Sequence, residues 1–183
     1  MSVLKSHKNL LYFIFVLIFL LSCDDAKYEL DNEFDPENLG LNSPTIFFHP
    51  PEFESIKVGE SDTLELYCYE VQNAAGAHLQ IEFDSEIIQI DTVKYGDFFM
   101  NGVNTPIMFT DQEDGFLNVY PFLQPTTVAS NSSGTMSMAK ILFTVKDEGL
   151  APIRYTNNTV LRNENNTSIF LNIYGEGLIN AVQ

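Results

Sequence analysis

From Pro44 onward the chain alternates apolar and polar residues in short bursts separated by turn residues. Residues 78–84 (HLQIEFD) alternate strictly: Leu79, Ile81 and Phe83 share one face, His78, Gln80 and Glu82 the other. Strand side chains change face with a period of two, so this pattern predicts a half-buried strand. The same period groups Leu64, Leu66 and Cys68. It also groups Ala139, Ile141, Phe143 and Val145, with Lys140, Thr144 and Lys146 turned outward, and then Ile169, Leu171 and Ile173. Residues 178–182 form a last run after the turn signal Gly175-Glu176-Gly177. Shorter apolar runs cover residues 46–48, 87–93, 107–109, 116–122 and 153–155, with turns predicted at Asn101-Gly102, Asp114-Gly115 and Ser133-Gly134. No stretch repeats at i, i+3, i+4, i+7. Many short strands, each with one apolar face, predict an all-β fold of two antiparallel sheets packed as a sandwich.

The first 22 residues follow another rule. Lys5, His7 and Lys8 give a positively charged start, and residues 10–21 (LLYFIFVLIFLL) hold no charged or strongly polar side chain. A bilayer core takes roughly 20 apolar residues as a helix, so this run is short for a span and fits the apolar region of a secretory signal. Leu20-Leu21-Ser22-Cys23 resembles the lipobox of bacterial lipoproteins, in which the cysteine receives diacylglycerol and becomes the first mature residue. The resemblance implies a covalent lipid on Cys23, a membrane contact made through that anchor, and a place in the bacterial cell envelope, at the outer membrane or cell surface. Residues 23–43 are acidic, hold three Asn and Pro36, show no sustained period, and read as an extended tether. Within them, residues 32–38 (NEFDPEN) are similar to a segment found just after the lipidated cysteine in many surface lipoproteins. The expected organisation is therefore a signal over 1–22, a lipidated tether over 23–43 and one domain over 44–183.

Charge narrows the partners. Lys5 and Lys8 leave with the signal, so seven basic residues face 25 acidic ones and the mature charge is −18. So acidic a chain, without a Lys/Arg cluster, repels nucleic acid and anionic lipid alike. Cys23 being consumed by lipid, Cys68 remains alone, on a leucine-bearing face, as a small buried hydrophobe.

The order of the strands resembles a cohesin domain, a nine-stranded jelly-roll sandwich related to carbohydrate-binding modules. Four segments carry the resemblance: residues 58–66 (VGESDTLEL), 76–90 (GAHLQIEFDSEIIQI), 138–146 (MAKILFTVK) and 173–179 (IYGEGLI). The family's Tyr-Asp-Pro after the third strand is Phe83-Asp84-Ser85 here. The resemblance implies docking of a dockerin-like or other surface protein through the outer face of the family's third, fifth, sixth and eighth strands, which places His78, Gln80 and Glu82 on the binding face. The family's Asn-x-Asp on its third strand falls at Gly76 and His78, so that carboxylate is absent.

Chemistry beyond docking finds little material. Two mature histidines, His49 and His78, show no metal-ligand spacing, and no nucleophile elbow, P-loop or dinucleotide motif occurs. The reading is no enzyme, no metal and no cofactor apart from the lipid. Residues 111–115 (DQEDG) lack the alternation and distal Glu of a calcium loop and read as a solvated turn. The alternative partner is a polysaccharide, with Tyr67 and Tyr69 as an aromatic strip; against it stand the absence of Trp and the chance that both rings are covered. Asp62-Thr63-Leu64 and Asp91-Thr92-Val93 resemble a bacterial O-glycosylation acceptor at Thr63 and Thr92, a strand-edge threonine being the simpler reading.

Overall fold

The structure is a computed structural model describing residues 38–100, 106–124 and 131–183. The signal, Cys23, most of the tether and the Asn101-Gly102 turn lie outside the described residues. All described residues belong to one compact unit, Glu33–Gln183.

Thirteen strand segments follow in order: β1 (Thr45–His49), β2 (Glu52–Lys57), β3 (Ser61–Ala74), β4 (Gly76–Glu82), β5 (Ile88–Tyr95), β6 (Pro106–Glu113), β7 (Phe116–Leu123), β8 (Ser132–Val145), β9 (Gly149–Tyr155), β10 (Val160–Arg162), β11 (Ser168–Ile169), β12 (Ile173–Tyr174) and β13 (Gly177–Val182). They form two sheets. One runs β12-β1-β3-β8-β5. The other runs β6-β7-β4, then continues to β10 beside the first half of β4 and β9 beside its end, and on through β13 to β2. Pairing is antiparallel except for β1 with β12 and β13 with β2. The two-sheet sandwich is the one the alternating pattern predicts.

The core lies between the sheets. Ile46, Phe48, Leu66, Ile141 and Phe143 from one sheet meet Leu79, Ile81, Leu117, Val119 and Ile179 from the other, all buried. Each such side chain contributes about 1.5–3 kcal/mol by leaving water. Phe48 stacks on Tyr155 at 4.4 Å, and Phe53 meets Phe143 edge-on at 5.3 Å. The Tyr155 hydroxyl donates to the Phe47 carbonyl at 3.3 Å, tying β9 to β1 across the sandwich.

Several predicted boundaries move, each for a local reason. Ser133-Gly134 is no turn: both residues belong to β8, opposite two irregularities in β3. There Glu70 and Asn73 adopt positive φ, and their N–H groups donate to the Thr135 and Ser133 hydroxyls. Residues 111–115 are not one solvated turn either; residues 111–113 continue β6, and only Asp114-Gly115 turns. The predicted strand through Ile169, Leu171 and Ile173 is cut in two. Ser168–Ile169 joins β10 in one sheet, while Ile173–Tyr174 joins β1 in the other, so the chain crosses between sheets at this point. β2 escaped the period-two pattern because its pairing with β13 shifts between Ile179 and Ala181. Its two buried residues, Phe53 and Ile56, are consequently three apart.

Candidate functional site

The outer face of the larger sheet is where the domain presents the most varied chemistry. Strand registers set its side chains in rows, because directly paired residues point to the same side. Asp111 of β6 pairs with Asn118 of β7, which pairs with Gln80 of β4. Phe109 pairs with Tyr120, Ile107 with Phe122, and Phe122 with Gly76. Glu113 pairs with Phe116, Phe116 with Glu82, and Glu82 with Arg154 of β9.

The centre is a hydrogen-bonded network. His78 Nε2 lies 2.9 Å from Asn118 Oδ1, and Gln80 Nε2 donates to the same oxygen at 2.9 Å. An amide oxygen only accepts, so the His78 ring nitrogen is the donor and carries the proton. The Gln80 carbonyl oxygen in turn accepts from the Thr156 hydroxyl at 2.6 Å and the Asn158 amide at 2.8 Å. Buried Thr159 holds the Gln80 backbone at both ends, its hydroxyl accepting from the N–H and donating to the carbonyl, each at 3.0 Å. The β9–β10 turn thus locks onto β4. His78 also stacks on Tyr120, ring centroids 4.5 Å apart and planes within 16°.

Beside the network the face opens into a groove of about 460 Å³, walled by Phe109, Phe122, Val160 and Arg162. Two sequence features make it. Gly76 has no side chain, and a Cβ there would come within 2.8 Å of the Phe122 Cβ. Pro121 has no N–H to give to the ladder, which holds at Gly76 with Phe122 and resumes only at Leu79 with Val119. Phe109 is 62 % exposed, and its ring tilts 35° to that of Phe122 at 6.0 Å.

His78, Gln80 and Glu82 therefore sit together as predicted from their alternation, the first two half-buried in the network and Glu82 exposed. Tyr67 and Tyr69 lie on the outer face of the other sheet, both half-buried. Tyr67 leans on buried Phe47 at 48° and on His49 at 53°, so these rings make no flat row. Burial and neighbouring Glu65 push the Tyr67 hydroxyl above its ordinary pKa. Thr92 is exposed on the edge strand β5; Thr63 is half-buried within β3, its N–H bonded to the Asp62 carboxylate at 2.6 Å. Cys68 is fully buried, its thiol donating to the Met136 carbonyl at 3.3 Å, and burial pushes its pKa up to about 12. That leaves no thiolate for chemistry at neutral pH. Among the described residues no three His, Cys, Asp or Glu side chains converge as a metal site, and no helix is long and apolar enough to cross a membrane.

Asn118, Tyr120, Phe122 and Phe109 were not singled out by the sequence. Their signal was present: in residues 116–122 every second residue is Phe116, Asn118, Tyr120 or Phe122, but Leu117 and Val119 between them made the run look uniformly apolar.

A family model described as Cohesin domain matches residues 49–180. No curated protein matches the chain. Among solved structures, a non-cellulosomal cohesin from the archaeon Archaeoglobus fulgidus superposes with a TM-score of 0.62 at 12 % identity, covering 78 % of this chain and 93 % of that one. The sixth cohesin of scaffoldin B from Acetivibrio cellulolyticus, solved with a dockerin, gives 0.63 at 16 %, covering 77 % and 100 %. The OlpA cohesin of Clostridium thermocellum, solved in a type I cohesin–dockerin complex, gives 0.62 at 16 %, covering 77 % and 100 %.

Proposed function

The chain belongs to the cohesin domain family, and from that membership we propose that it is a non-catalytic docking module, held on the bacterial cell envelope by lipid at Cys23, whose outer β6-β7-β4-β9/β10 face receives a protein partner. One observation carries the reading: this face is built rigidly but left open. The His78–Asn118–Gln80 network fixes its middle, while Phe109, Asp111, Glu113 and Glu82 around it remain exposed. Solved relatives carry dockerins as partners, which supports a protein over a small molecule. A polysaccharide is less well served. The tilted rings of Phe109 and Phe122 offer no common plane for sugar stacking, and the chain has no Trp.

The test is capture from detergent-solubilised envelope with the mature chain, beside co-sedimentation with insoluble polysaccharide. A protein retained by the wild type and lost with Asp111→Lys/Glu113→Lys is the expected result. Sedimentation with polysaccharide and no retained protein would overturn docking. The lipid is tested apart from it: Cys23→Ala should abolish labelling by a palmitate analogue and move the protein out of the membrane fraction.

A further inference from the structure

We propose that the partner seats one bulky apolar side chain in the groove over Gly76 and sets a Lys or Arg side chain on Asp111 and Glu113. This rests on the docking reading and specifies the chemistry it requires.

The outward positions of β6 change character midway, with Ile107 and Phe109 followed by Asp111 and Glu113. On the apolar half, Phe109 stands largely in water beside a mostly apolar concavity floored by Gly76 and closed by Phe122 and Val160, with Arg162 at its far wall. An exposed ring next to an apolar hollow suits the fully desolvated anchor that dominates many interfaces. On the polar half, the outward positions of β6, β7 and β4 hold Asp111, Glu113 and Glu82 with no Lys or Arg among them. Among the described residues none of these three carboxylates forms an ion pair; the nearest cation in the rows, Arg154, is paired with Glu176 at 3.0 Å. A cation brought by a partner would meet unpaired acids, and the strongly negative chain would draw it in.

The spacing is fixed by the strand. Four residues separate the midpoint of Ile107 and Phe109 from that of Asp111 and Glu113, about 14 Å at the rise of an antiparallel strand. A partner strand spans this in four residues, and its period of two puts anchor and cation on one face.

The test is a nitrogen-15 NMR titration of the mature Cys23→Ala chain with three probes: N-acetyl-leucinamide, N-acetyl-argininamide and cellobiose. Leucinamide should shift the amides of Gly76, Phe109, Phe122 and Val160, and argininamide those of Asp111 and Glu113. Phe109→Ser should weaken leucinamide about fivefold, the value of one aromatic contact, and leave argininamide unchanged. Shifts scattered over the surface, or cellobiose filling the groove in place of leucinamide, would overturn the proposal. Failure here stays separate from failure of docking. A captured partner that survives Phe109→Ser and Asp111→Lys sinks this assignment alone, whereas absence of any captured partner sinks the docking reading.

Discussion

Replacing Asn118 by Ala should loosen the binding face without touching the hydrophobic core. Asn118 is 7 % exposed, and its Oδ1 accepts from His78 Nε2 and Gln80 Nε2, both at 2.9 Å. The substitution leaves two donors without their acceptor. Both belong to half-buried side chains, so water recovers part of the loss and each should cost about 1 kcal/mol. For a domain of this size a total of about 2 kcal/mol lowers Tm by about 4–8 °C. A second readout separates this cause from general damage. In the wild type the Asn118 oxygen holds the His78 proton on Nε2, so imidazole nitrogen shifts at neutral pH should report one tautomer. In Asn118→Ala they should report a mixture. Asn118→Asp keeps an acceptor for both donors and should recover most of the lost Tm. Thermal melts and long-range nitrogen–proton NMR correlations on the three proteins decide the matter. An unchanged tautomer in Asn118→Ala, with an unchanged Tm, would refute the network as the feature that fixes this face.

Alkaline stability should depend on Cys68. The unfolded thiol ionises near 9.0 while the folded one is pushed up to about 12, so the folded state keeps a proton that the unfolded state loses. The stabilisation is complete below the lower value and is lost as pH rises through this window, at most about 1.4 kcal/mol per pH unit. Urea unfolding of wild type and Cys68→Ala should therefore converge above pH 9.0 and run parallel below it; parallel curves throughout would exclude Cys68 as the source. Buried Tyr155 is also raised well above its usual value, by burial first and by neighbouring Cys68 second, so only the part due to burial is common to both proteins. Gly96→Ala should cost about 3 kcal/mol, because a Cβ there would lie 2.3 Å from the Ser137 carbonyl oxygen, which belongs to the backbone of β8. A urea midpoint within error of wild type would mean the β5–β8 junction yields more easily than its packing indicates.

Much of the fold was legible because a strand with one face in a core writes a period of two into its residues. Residues 78–84 and 139–145 show this directly, and the structure buries the faces they indicate. The pattern failed where a bulge breaks the period. Phe53 and Ile56 in β2 are one case, and the irregularity of β3 opposite Ser133-Gly134 is another. It failed again at residues 168–174, where the chain leaves one sheet for the other and no single face persists.

By itself the sequence determined which residues could face inward, that the domain from Pro44 onward is all-β, and that Cys68 would be a quiet hydrophobe. It also put His78, Gln80 and Glu82 on one outward row, since alternation along a single strand needs no neighbour to define it. Which neighbours complete that row was decided by tertiary structure. Register alone brings Asn118 between His78 and Gln80 and sets Phe109 and Phe122 beside Gly76. Those residues lie roughly 30 to 45 positions apart in the chain, and local periodicity carries no information about pairing at such separations.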